Sequence, residues 1–266
     1  MNNTSAVASK VPAVTLGFWI IKILATTLGE TGGDTVTMTW LGETTSEANP
    51  NGYLIGTAIF GVLLVVLVLA QIRASTFNAW LYWATIVAST TAGTTLADFA
   101  DRSLNIGYAG GSSVLLVCVL LSLGIWFLSE RTISVNTVST PRVEAFYWTT
   151  ITFSQTLGTA LGDWTADDAG VGFAGGAAIF GAALAVIAAL YFWTKVSRVL
   201  LFWAAFILTR PLGATVGDFL DKPLNEGGLN LSRAIATAVI AGAMILLILV
   251  IPQRPGSHPG RAAKRS

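Results

Sequence analysis

A sixteen-residue phrase is written four times in this chain, running each time from a tryptophan to an aspartate: Trp19 to Asp34, Trp83 to Asp98, Trp148 to Asp163 and Trp203 to Asp218. A glycine follows each tryptophan by ten residues (Gly29, Gly93, Gly158, Gly213). A small residue follows it by fourteen (Gly33, Ala97, Gly162, Gly217), immediately before the acid. Recurrence at fixed offsets marks an internal repeat, and a repeat fold stacks one supersecondary unit against the next. Whatever surrounds one aspartate should therefore surround all four.

The solvent for this fold is lipid. Only 11% of residues are charged while 53% are hydrophobic, against about a quarter charged in soluble domains. Apolar runs such as Tyr53 to Gln71, Ser113 to Leu128, Ala174 to Trp193 and Ala234 to Ile251 are each long enough to cross a bilayer. The opening MNNTSAVASK has no basic n-region, so no cleaved signal peptide is expected. A single cysteine, Cys118, leaves no intrachain disulfide.

Each repeat divides into a first span holding the Trp-to-Asp phrase, a Gly-rich loop, and a second, almost wholly apolar span. The pattern predicts an all-α membrane protein with eight transmembrane helices, at about 12–34, 53–72, 77–98, 107–128, 144–163, 171–193, 197–218 and 230–251. The repeats are 12–73, 77–128, 144–193 and 197–251, in one membrane domain, with a basic tail over 252–266. Two spans per repeat make the repeats parallel rather than inverted. Basic residues gather in the amino terminus, the loops between repeats and the tail, from Lys10 and Arg73 to Lys264 and Arg265. Acids such as Glu43, Glu47, Asp101, Asp167, Asp168, Asp221 and Glu226 gather in the loops within repeats, against Arg102, Lys222 and Arg233. By the positive-inside rule both termini are cytoplasmic and the four aspartates lie toward the outer face. The loop acids Asp101 and Asp221 are expected to pair locally with Arg102 and Lys222.

Residues four apart share a helix face. Counting back from each aspartate gives Glu30, Thr26 and Lys22; Thr94 and Thr90; Thr159 and Gln155; Ala214 and Arg210. Every first span thus carries a polar stripe, and the second spans carry none. Polar side chains in lipid face a bundle interior or a wet cavity, so the first helices belong inside and the apolar second helices outside. The aligned glycines allow close helix packing. The four tryptophans serve as packing or interfacial anchors.

Two readings of the aspartates follow. They cap spans at the headgroup level, or they converge with Glu30 on a cation or proton path lined by the stripe. Lys22 and Arg210 either neutralise neighbouring acids or act as tethered cations. Carboxylate, hydroxyl and amide oxygens suit hard ions such as Mg²⁺ or Mn²⁺. The chain offers one histidine (His258), one cysteine and three methionines, which argues against a soft copper or zinc site. The partners expected are the bilayer and a small cation as substrate, with no nucleic acid; no cofactor is fixed, and a bound divalent cation stays open. Homo-oligomers stay open. Protons are a natural coupling partner for crowded carboxylates.

The phrases FWIIKILATTLGETGGD and FWAAFILTRPLGATVGD resemble a bacterial inner-membrane family catalogued as a repeat of unknown function. The resemblance spans about residues 12 to 251. It implies four tandem two-span repeats with a characteristic tryptophan, and supplies no activity. From the residues, the leading expectation is a cation transporter or exporter, with a channel as its near relative. A structural or sensory membrane protein is the alternative. An enzyme is not expected: Gly162-Asp163 and Gly217-Asp218 resemble the Gly-Asp element of intramembrane aspartyl proteases, but no Tyr-Asp partner accompanies them.

Overall fold

A computed structural model describes residues 8–43 and 51–256. The expected Glu47, His258 and the distal tail bases Arg261, Lys264 and Arg265 lie outside the described residues. Eight α-helices run α1 Leu16–Asp34, α2 Gly52–Arg73, α3 Ala79–Asp98, α4 Tyr108–Glu130, α5 Pro141–Asp163, α6 Gly172–Trp193, α7 Arg198–Asp221 and α8 Arg233–Val250. No strand longer than an isolated bridge occurs among the described residues. The helices start where side chains can satisfy free backbone N–H groups: Thr15, Asn78, Thr140 and Ser197 cap α1, α3, α5 and α7. At Gly107 and Gly172, positive φ angles of 78° and 68° turn the chain into α4 and α6, a geometry that favours glycine.

The polar-striped helices close on one another. α1 packs on α3 and α7, and α5 packs on the same two, so α1, α3, α5 and α7 form a four-membered ring. The apolar helices lie against its outside, and each meets the next repeat's striped helix: α2 on α3, α4 on α5, α6 on α7, and α8 back on α1. A covalent repeat is therefore not a packing unit. Each α-helical pair forms across a repeat boundary, and the last closes the circle.

The outer faces are strongly apolar and exposed, as at Val62, Leu120, Val186, Val239 and Leu246. Apolar surface on this scale needs a partner, and lipid is the partner that fits it on all sides. Five helices, α2, α4, α6, α7 and α8, are long and apolar enough to cross a membrane. α1, α3 and α5 fall short because their buried faces carry threonine, serine and charge.

The repeat tryptophans build the core at one end of the ring. Each is preceded by a second aromatic residue: Phe18, Tyr82, Tyr147 and Phe202. That residue meets the next repeat's tryptophan, with ring centroids 5.4 Å apart for Phe18–Trp83, 5.8 Å for Tyr82–Trp148 and 6.3 Å for Tyr147–Trp203. Phe202–Trp19, at 5.6 Å, completes the cycle. Aromatic pairs at such spacing gain beyond simple area burial. The Tyr82 and Tyr147 hydroxyls share a 2.6 Å hydrogen bond, so neither is left unsatisfied in the apolar tier. The tryptophans are thus packing anchors, and Trp83, Trp148 and Trp203 are buried.

Beyond this aromatic tier the two ends of the described residues meet. Pro12 and Pro255 form an isolated bridge, and the Ser9 hydroxyl donates to the Val135 carbonyl. Lys10 Nζ pairs with Glu144 at 2.6 Å and donates to the Gln71 carbonyl ending α2.

Candidate functional site: a carboxylate ring with internal bases

The aspartates end α1, α3 and α5 and lie one turn before the end of α7. In the first three repeats the helix widens at once into a π-helical segment: Thr35–Trp40, Phe99–Ser103 and Trp164–Asp168. All four carboxyl groups and Glu30 are buried. None of these carboxyl groups is therefore solvent-exposed in the structure. A carboxylate removed from water requires a partner, and most of those partners are basic residues of the chain.

Lys222 Nζ lies 2.7 Å from Asp34 and 3.0 Å from Asp218. Arg102 Nε lies 3.0 Å from Asp98, and its Nη2 lies 3.7 Å from Asp163. Each base therefore clamps its own repeat's aspartate to that of the following repeat, and fourfold sequence becomes twofold chemistry. This corrects the expectation of local loop pairs. Lys222 and Arg102 turn into the ring, while Asp221 belongs to α7 and faces Arg233 at 3.8 Å. Asp101, in the π-helical segment after Asp98, lies against Gly111 of α4, where burial pushes its carboxyl up to about 6, opposed by the Arg102 guanidinium.

One turn deeper lie Glu30, Thr94, Thr159 and Ala214. Alanine in the fourth repeat leaves room for a larger neighbour, and Arg210 takes it. Its Nη2 donates to Glu30 at 2.8 Å, to Thr94 at 2.6 Å and, closer still, to Thr159. One guanidinium nitrogen thus touches one side chain from each of the other three repeats. Another turn down are Thr26, Thr90, Gln155 and the Arg210 stem, and below them Lys22 with Ile86, Ile151 and Phe206. Lys22 is fully buried, and its Nζ stands 4.2 Å from the Phe206 ring centroid.

The repeat glycines explain how these helices approach closely enough. A Cβ on Gly29 would strike Thr90, one on Gly158 would strike Arg210, and one on Gly213 would strike Thr26. On Gly93 it would meet the backbone of Gln155 and Thr156 at 2.9 Å. Each glycine is the seat for the next repeat's stripe residue. Gly33, Gly162 and Gly217 repeat the arrangement one turn on, against Thr94, Ala214 and Glu30.

The expected site residues are thus brought together, with the stripe filling the ring axis. What sequence reasoning missed is the pair Arg102 and Lys222. Their signal was present: each stands four residues after its aspartate, on one helical face. Glu30, Asp34 and Asp218 place three carboxylate oxygens within 4.8 Å of one another. Such a set is able to hold a hard cation. Four segments, 17–77, 81–132, 146–197 and 201–254, match the family described as Repeat of Unknown Function (DUF347). The chain belongs to this family. Each match covers two helices consecutive in sequence, α1 and α2, α3 and α4, α5 and α6, or α7 and α8, and contains one Trp-to-Asp phrase. No curated protein matches the chain, and no solved structure does.

Proposed function

We propose that this protein is a carrier for a small hard cation of the Mn²⁺ type in a bacterial inner membrane. In this reading it spans the membrane eight times, as four parallel repeats, with both termini cytoplasmic. The observation that carries the reading is the position of Lys222. Its ammonium lies against Asp34 and Asp218, which with Glu30 form the one convergent carboxylate triad among the described residues. A lysine so placed is a tethered cation. A divalent ion would displace it, gaining oxygen ligands while Lys222 swings out on its loop. Arg102 is the corresponding group for Asp98 and Asp163. Proton exchange at the carboxylates supplies a natural coupling.

A carrier suits the ring better than an open channel. Arg210 stands across its axis, and the aromatic tier closes the far end. Passage therefore requires repeats to move relative to one another. A structural role is the second reading. It is favoured because each repeat aspartate already faces a basic residue of the chain itself.

A thermal unfolding series on purified protein separates the readings, since a ligand that binds only the folded state raises the melting temperature by mass action. The carrier reading expects saturable stabilisation by one divalent cation. Asp34→Asn should abolish it, and Lys222→Met should move its midpoint to lower concentration. Flat responses to Mn²⁺, Mg²⁺, Ca²⁺ and Na⁺ would leave the structural reading.

A further inference from the structure

Three of the four bases inside the ring have acidic partners: Lys222, Arg102 and Arg210. Lys22 has none. Its side chain is fully buried, and its Nζ has no hydrogen-bond acceptor. Above it, the polar groups show the same deficit. Arg210 spends Nη2 on Glu30, Thr94 and Thr159, while its Nε and Nη1 have no acceptor. Both ends of the Gln155 amide and the Thr90 hydroxyl are without partners as well.

The helical register places Lys22, Thr90, Gln155 and the Arg210 stem at adjacent levels of one axis, neither with an acid of its own, and the Arg210 guanidinium reaches up to the Glu30 level. Lys22 shares its level with Ile86, Ile151 and Phe206, and the next level holds Thr26, Thr90, Gln155 and Arg210. Phe206, against which Lys22 lies, is one turn from Arg210 on the same face of α7. An ammonium, the free edge of a guanidinium, an amide N–H and a hydroxyl are donors of the kind that surround a bound anion. Two formal positive charges lie here, and Glu30 answers only one of them. Uncompensated charge away from water is strongly disfavoured, so Lys22 is either neutral here or balanced by an anion, and the unpartnered donors around it favour the anion.

We infer that Lys22, Arg210, Gln155 and Thr90 form a binding site for one halide-sized anion beneath the carboxylate ring. Close packing argues for a monatomic ion. The stripe side chains sit directly on the preceding helices' glycines, and helices that approach so closely favour the smallest anions. The site does not rest on cation transport and would serve a static ring equally, by completing its charge balance.

The test uses full-length protein in detergent. Its melting temperature is titrated with sodium chloride or sodium bromide against sodium gluconate, at fixed sodium concentration and ionic strength. Wild type should show a saturable halide-dependent rise. Lys22→Met should abolish the rise, and Gln155→Leu should move its midpoint at least several-fold higher. Crystals soaked in bromide should give an anomalous peak beside Lys22 Nζ. Equal melting in chloride and gluconate overturns the inference, as does an unchanged midpoint in Lys22→Met. If Lys22→Met does not fold, Gln155→Leu and Thr90→Val are judged by the same criterion.

Discussion

Gly93→Ala should be among the most damaging single-methyl changes in this chain. The added Cβ would stand 2.9 Å from the Gln155 carbonyl carbon and from the Thr156 nitrogen, both backbone atoms of α5. Flexible side chains move aside cheaply, but a helix backbone does not. Ordinary contact begins at 3.4 Å, so α3 and α5 must part by about 0.5 Å along their seam, and a gap of that size already forfeits a quarter or more of the attraction between facing atoms. Overpacking of this kind costs about 1–3 kcal/mol. A seam that also positions Asp98 and Asp163 should lie at the upper end. The control is Gly61→Ala on α2, whose Cβ meets nothing within 4 Å. There alanine should be neutral or stabilising by about 0.5–1 kcal/mol, through reduced backbone freedom. Reversible unfolding in mixed detergent, followed by circular dichroism, measures both. Equal effects of the two substitutions would refute the view that the repeat glycines are seats for the neighbouring helix.

Removing Arg210 should leave Glu30 buried without its cation. Arg210→Met should therefore destabilise by about 3–5 kcal/mol, and adding Glu30→Gln should recover much of the loss; unfolding of the single and double variants tests the coupling. Tyr82→Phe breaks the shared hydroxyl bond with Tyr147 and should cost about 1–2 kcal/mol, measured in the same way. Asp101 predicts a pH signature. Its carboxyl is raised by burial from 3.8 to about 6, so its contribution to stability is complete below about pH 4 and is lost as pH rises through about 6. Asp101→Asn should accordingly gain stability relative to wild type between pH 4 and pH 7, and a difference that stays constant across that range would contradict this.

Much of the ring was legible because a repeated phrase fixes equivalent positions. The stripe from Lys22 to Asp34 predicted an inward face, and those residues are buried. Helix limits fell close to expectation, with α2 at Gly52–Arg73 and α6 at Gly172–Trp193. The doublets Phe18-Trp19, Tyr82-Trp83, Tyr147-Trp148 and Phe202-Trp203 were readable too, but attention to the tryptophan alone hid them. Other features are set by tertiary contact. No local signal announces that α2 packs on the next repeat's helix; Arg102 and Lys222 stand four residues after their aspartates, but that spacing does not say that each also reaches the acid of the following repeat. A basic residue beyond a span end has equal access to solvent and to the ring. Here it is the buried acids, deprived of water, that decide. Arg210 was placed on the stripe, but its engagement of three other repeats depends on Ala214, a vacant position that matters only once the ring has closed.

In the proposed function the carboxylate ring moves a cation in exchange with the tethered Lys222. The most direct test is flux of Mn²⁺ across proteoliposomes that contain the purified protein, read by an entrapped fluorescent chelator. Saturable flux above that of empty liposomes is expected, lost in Asp34→Asn and in Asp218→Asn while both variants stay folded. Flux indistinguishable from empty liposomes for Mn²⁺ and for the other hard cations, with folded and correctly inserted protein, would contradict it.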